Sequence, residues 1–430
     1  MAIEILLKNT AFWESGERVD IAIAEGKIIA IEKDIASPAD QHIDAEGKYV
    51  LPGLIDPHVH FRTPGEEYKE DWKTGTYAAA KGGVTTVFDM PNTNPPCISN
   101  ALVAEKYFAV QAVSPSVDFR LYLGATKHNL HDIETTKAAG VKVYLGSSTG
   151  GLLLDDYTHL EAIVQASPVP VLVHAEDEAC IQRNFADIMD EFEEVGWGKE
   201  DLHPEDHSRI RAEECAAVCV EKVLGIVERV QKPVYFCHVS TSAEIELLGK
   251  AKEKGLPVYV EVSPHHLFLS INAYSRLDNF VKVNPPLRDE KSLYKLWKAL
   301  LNGTIDTIGS DHAPHTIAEK CAPFLECPSG VPGIETTLPL LLDAVNKKQL
   351  TLKKVVELTN LNPANIFGLY SKAGLKVGND ADMVLVDMDL EQRVVRENIA
   401  SKCGWSPFEG QLLKGWPILT ISRGKVVYKR

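Results

Sequence analysis

The feature that most constrains this 430-residue chain is a pattern recurring between about residues 50 and 312. A short apolar, β-branched run ends in a polar residue, and a stretch of helical character follows. Eight such runs can be read: GLIDPHVH (53–60), VTTVFDMPN (84–92), DFRLYLGA (118–125), VKVYLG (141–146), PVLVHAE (170–176), PVYFCHVS (233–240), PVYVEVSPHH (257–266) and DTIGSDHAPH (306–315). Eight strands alternating with helices predict an α/β fold, a (β/α)8 TIM barrel over residues 53–366 with functional residues at the C-terminal ends of the strands. The flanking segments, 1–52 and 367–430, read as short strands and turns (GERVDIAIAEGKIIAIEKDI early, GLKVGNDADMVLVDMDL and PILTISRGKVVYK late). Neither could bury both faces of a sheet alone, so the two ends are expected to pair into one small composite β-sandwich domain beside the barrel.

Composition narrows the partners. A net charge of −15 argues against nucleic acid and anionic membranes, which reward basic surface, so an anionic ligand would have to be drawn by local positive charge such as a metal. MAIEILLKNT lacks the basic-then-apolar plan of a secretory leader, and no apolar run approaches about 18 residues, so neither export nor membrane spanning is expected. The eight cysteines (97, 180, 215, 219, 237, 321, 327 and 403) form no C-x-x-C pair and read as reduced thiols in a cytoplasm. The expected partner is a small molecule, and oligomeric state is left open.

His58 and His60 are spaced i, i+2 at the end of a strand, so both rings point to one face, the lumen of a barrel. Alone, such a pair could equally be two hydrogen-bonded structural histidines. His174 and His238 each end a further apolar run, where an unpaired polar group is costly, and the four together point to a metal site. Asp311, after the eighth run and crowded by His312 and His315, supplies an oxygen donor. Such nitrogen and oxygen ligands fit zinc, with manganese or cobalt as alternatives. Lys142 shares a face with Tyr144, and an inward ammonium beside divalent metals would be repelled.

Several motifs carry a resemblance: DPHVHFRTPG (56–65), DMPNTNPP (89–96), VKVYLG (141–146), VHAED (173–177), CHVSTSAE (237–244), EVSPHHLFL (261–269), VNPPLR (283–288), SDHAPHTIAEKC (310–321) and GLKVGNDADMVLVD (374–387). Together they resemble the amidohydrolase superfamily and, within it, the dihydroorotases, along nearly the whole chain. The resemblance implies two divalent metals: one held by His58, His60 and Asp311, the other by His174 and His238, with a carboxylated Lys142 bridging both. It further implies that Arg62, Asn92 and His315 grip a substrate carboxylate, a task suited to the planar fork of arginine. Asn284 is a further substrate contact, although animal relatives carry arginine there, and Gly330 in CPSGVPG (327–333) is the best candidate for a backbone contact. The implied reaction is reversible hydrolysis of (S)-dihydroorotate to N-carbamoyl-L-aspartate in pyrimidine synthesis, by a metal-bridging hydroxide with Asp311 as general base and then general acid.

Rival readings are a hydantoinase, dihydropyrimidinase or allantoinase, or a non-catalytic relative acting in assembly. Arg62, Asn92 and His315 speak against the first group, and the intact ligand set against the last. In animal relatives a cysteine and a glutamate matching Cys237 and Glu261 help hold a third zinc; here both could equally be core residues. His203 and His207 are read as lying at a surface helix start rather than as ligands, and Cys215 and Cys219 as packing residues of an amphipathic helix.

Overall fold

The computed structural model describes residues 2–147 and 151–430. Each of the eight runs forms a strand: β6 (Leu54–Val59), β7 (Val84–Asp89), β8 (Asp118–Leu121) continued by β9 (Leu123–Gly124), β10 (Val141–Tyr144), β11 (Val171–His174), β12 (Val234–Phe236), β13 (Val258–Val262) and β14 (Thr307–Ile308). All pair in parallel with their neighbours. The ring closes through a parallel bridge between Val59 and His312, and the His60 amide donates to the His312 carbonyl at 2.8 Å. Helices follow the strands, and polar side chains begin many of them: Asp71, Ser99, Asp156, Asp177, Thr241 and Asp289 each accept amide hydrogens of the first helical turn.

Register places the chemistry. Tyr144 pairs with His174 and Lys142 with Leu172, so these side chains share the lumen face, while Val141, Val143, Val171 and Val173 pack outward under the helices. Lower in the lumen, Ile55, Phe88, Tyr122, Leu172 and Tyr235 fill the barrel. Phe367 plugs its floor, with its ring centroid 4.7 Å from that of Phe88. A packed floor leaves only the C-terminal mouth open to a ligand.

The two ends of the chain share one eight-stranded sheet: β1 (Ile3–Phe12), β2 (Arg18–Ala24), β3 (Lys27–Glu32), β4 (Ala39–Asp44) and β5 (Tyr49–Pro52) with β15 (Met383–Arg393), β16 (Leu412–Ser422) and β17 (Lys425–Lys429). The antiparallel pairing of β5 with β15 joins early to late strands. Gly415 lets this sheet approach barrel helix Thr337–Asn346: its φ is 108°, and a Cβ there would stand 2.6 Å from that of Leu342. No helix among the described residues is long and apolar enough to cross a membrane.

One sequence expectation fails here. Cys180 and Cys215 are not free thiols but a disulfide, with Cα atoms 5.3 Å apart; the other six cysteines are free. Each sits in the first turn of its helix, Glu178–Glu194 and Glu213–Val230, and the two helix starts meet, with the Asp177 amide donating to the Cys215 carbonyl. Thirty-five residues of separation hid the pairing. Cys219 packs in the core as expected.

Candidate active site

At the mouth, His58, His60, Arg62, Lys142, Tyr144, His174, His238, Asn284, Asp311 and Gly330 line one small cavity of about 30 Å³. The Oδ1 of Asp311 lies 3.2 Å from the Nε2 atoms of both His58 and His60, and His174 Nδ1 lies 3.0 Å from His238 Nε2. Arg62, His238 and Asp311 hold φ values of 63°, 35° and 45°, a region that side chains other than glycine seldom occupy. Such strain persists only where the surroundings enforce it, and here it falls on three residues of one cavity.

The far side of three of the four imidazoles explains the convergence, while Nδ1 of His238 has no partner among the described residues. His58 donates from Nδ1 to Glu261 (2.7 Å), His60 from Nδ1 to the Asn92 side-chain oxygen (2.8 Å) and His174 from Nε2 to Glu176 (2.9 Å). A hydrogen on the outer nitrogen leaves a lone pair on the inner one, the arrangement of metal-ligating histidines. Glu176 is fixed in turn by Arg211, which, with His174, holds its carboxyl well below the usual range although burial works the other way. Glu261 accepts from His58, from the His238 amide (3.0 Å) and from the Tyr235 hydroxyl (2.7 Å). Against its burial, Glu261 and Asp311 raise His58 to about 10, whereas burial lowers His60 to about 4 and pushes His174 and His238 down as well.

Among the described residues, two triads have the spacing to grip a metal: His58, His60 and Asp311, and His58, Cys237 and Glu261. In the second, all three Glu261 contacts are already made and Lys142 Nζ lies 3.0 Å from Cys237 Sγ, so those residues serve as an outer layer to the first. The donor set of the first triad therefore fits a metal ion, and His174 and His238 stand beside it with Nδ1 of one facing Nε2 of the other. Lys142 is fully buried, and among the described residues no carboxylate lies within ion-pair distance of it.

The substrate side divides into two layers. Arg62 lines the cavity, and its guanidinium donates to the Pro314 carbonyl (3.1 Å) and His315 Nε2 (3.0 Å). Only 2% exposed, it too has no carboxylate within ion-pair distance among the described residues. Asn92 and His315 stand behind, one on His60 and the other on Arg62; the Trp405 indole donates to the His315 carbonyl at 2.7 Å. Gly330 lines the cavity with its amide donating to Lys282 O, and a Cβ there would stand 2.5 Å from Ala313 O.

His207, expected at the surface, is instead buried, and its Nε2 faces two acceptors, the Val283 carbonyl and Asn284 Oδ1, both at 2.9 Å. It must therefore donate, which turns the Asn284 amide so that its NH2 is presented as donor. His203 is exposed, as read from sequence. Sequence reasoning also gave no role to Glu176, Arg211 or Tyr144, whose buried hydroxyl lines the cavity without a partner.

Residues 49–427 match the model of the amidohydrolase family. The chain belongs to the amidohydrolase family. Its relatives include a Methanosarcina acetivorans protein named dihydroorotase, 40% identical over 99% of this chain and 92% of that protein. Another of that name, from Methanosphaera stadtmanae, is 36% identical over 98% of this chain and 96% of its own length. Among solved structures, the L-hydantoinase (dihydropyrimidinase) of Arthrobacter aurescens superposes with a TM-score of 0.92 at 31% identity, covering 99% of this chain and 96% of that one. A D-hydantoinase follows at 0.89 and 28%, covering 100% and 96%. Family membership, the barrel and cyclic amide hydrolysis thus agree with the sequence reading.

Proposed function

We propose that this protein is a dihydroorotase that interconverts dihydroorotate and N-carbamoyl-aspartate. The observation that carries this is Arg62, a buried guanidinium with no acidic partner, on the wall of the cavity that holds the ligand cluster. A desolvated cation is costly unless a counter-charge arrives, and a substrate carboxylate is that counter-charge. An uncharged ring, as in the hydantoinases that this fold resembles, would leave Arg62 uncompensated.

His58, His60 and Asp311 would hold one divalent ion, His174 and His238 a second, and Lys142, carboxylated, would bridge them. Carboxylation would turn a buried unpaired cation into an anionic oxygen donor. Bound there, zinc or a similar ion would supply water of lowered pKa and polarise a carbonyl. The protein's own part is positioning: Arg62 takes the carboxylate, His315 steadies Arg62, and Asn284, turned by His207, donates to the ring. Asp311 takes the proton given up by the attacking water and delivers it to the ring nitrogen as its bond to the carbonyl carbon breaks. The substrate and the six free thiols fit a cytoplasmic setting, and the Cys180–Cys215 disulfide is the one feature that does not. The test is to supply N-carbamoyl-aspartate to the metal-loaded protein and follow ring closure. Dihydroorotate should form; its absence, with hydantoin still opened, overturns the proposal.

A further inference from the structure

Two more buried cations stand behind loop 324–330, whose Ser329 and Gly330 line this site, and neither is a metal ligand. Lys320 is 1% exposed, and its ammonium donates to three carbonyls: Pro328 (2.9 Å), Gly330 (3.2 Å) and Lys282 (3.3 Å). Three acceptors around one nitrogen require three N–H donors, which only the protonated amine has. Lys282, also buried, donates to the carbonyls of Phe324 (2.5 Å) and Cys327 (2.7 Å). Among the described residues neither ammonium has a carboxylate within ion-pair distance, in a chain carrying −15 overall. Their charges are therefore held by carbonyl dipoles and left unneutralised.

Both lysines act on one loop. Residues 324–330 contain Pro328, which has no amide hydrogen, and turn the carbonyls of 324, 327, 328 and 330 toward the two ammonium groups; that of Ser329 faces His315 Nε2 at 3.1 Å. Ser329 and Gly330 from this loop line the ligand cavity. Lys282, Asn284 and Ser329 also line a recess of about 450 Å³, which shares Asn284 and Ser329 with that cavity.

We propose that Lys282 and Lys320 are positioning residues that clamp loop 324–330 over the cavity and give its wall a fixed positive charge, so that an anionic ring is favoured over the same ring without a carboxylate. This rests on the dihydroorotase reading and adds two specificity residues to it. The probes are orotate and uracil, one planar ring with and without the carboxylate, titrated calorimetrically into the metal-loaded protein. In Lys320→Met, which keeps the apolar stem, orotate affinity should fall about tenfold while uracil changes less than about twofold, the pattern of lost charge rather than lost shape. Lys282→Met should do the same, and serves alone should Lys320→Met not fold. Equal weakening of both probes would make the lysines merely structural and overturn the clamp, as would unchanged orotate binding. Wild-type protein that binds uracil as tightly as orotate would overturn the substrate reading along with it.

Discussion

Glu261 offers a perturbation whose outcome can be worked atom by atom. Its Oε1 accepts from His58 Nδ1 and the His238 amide, and its Oε2 accepts from the Tyr235 hydroxyl, which also lies 2.6 Å from Thr307 Oγ1. In Glu261→Gln the amide oxygen can keep the first two bonds; the new NH2 then meets Tyr235, whose hydroxyl hydrogen can turn to Thr307 and leave a lone pair to accept. The substitution thus removes a charge and keeps every contact, so folding stability should move by less than about 1 kcal/mol. Metal affinity should fall about 10- to 100-fold, the usual effect of losing the carboxylate behind a ligating imidazole. Glu261→Ala, in contrast, orphans two buried donors, His58 Nδ1 and the His238 amide, at about 1–3 kcal/mol each and should destabilise by several kcal/mol. Chelator competition reads the affinity, and urea melts of the metal-free proteins read the stability. A Gln variant with wild-type metal affinity, or one as unstable as the Ala variant, would refute the assignment of Glu261 as the group that aims His58.

Four further outcomes follow from the same geometry. Arg62→Met should lower kcat/KM for dihydroorotate by about 10²-fold or more, as expected for truncating one side of a buried charge pair, and spare dihydrouracil; steady-state kinetics on both rings decides it. Metal uptake should release protons at neutral pH, because His58 sits at about 10 in the metal-free site, and titration in buffers of different ionisation enthalpy would expose a release of zero. Burial, helped by Arg211 and Lys282, lowers His207 to about 3, so the unfolded chain binds the extra proton and stability is lost as pH falls from about 6.5 toward 3; His207→Gln should flatten that part of the acid-unfolding curve. Reduction of Cys180–Cys215 should cost about 3–4 kcal/mol for a loop of this length, read by denaturant melts with and without reductant; no change would mean the bridge does not form.

The barrel was legible because strands buried on both faces must be continuous apolar runs, and most of these runs carry near their ends a polar residue that lines or borders the mouth, the third run, DFRLYLGA, being an exception. Lys142 was legible for a simpler reason, since a period of two puts it beside Tyr144 and opposite Val141 and Val143. What escaped were residues whose meaning comes from another part of the chain. Glu176 and Arg211 are 35 residues apart yet form one buried pair behind His174. His207 looked exposed because Pro204 and charged neighbours surround it in sequence, while in space the Val283 and Asn284 segment covers it. Lys282 and Lys320 drew no reading from sequence, because nothing local announces that a proline-containing loop will turn its carbonyls toward them.

The central claim is a metal site coupled to a carboxylate grip, and the most direct test is competition. Purified protein, its metal content measured, would be assayed for kcat/KM on dihydroorotate, dihydrouracil and hydantoin under one set of conditions. The account predicts about two metal ions per chain and turnover confined to dihydroorotate; comparable turnover of an uncharged ring would contradict the role given to Arg62, and activity that survives complete metal removal would contradict the site itself.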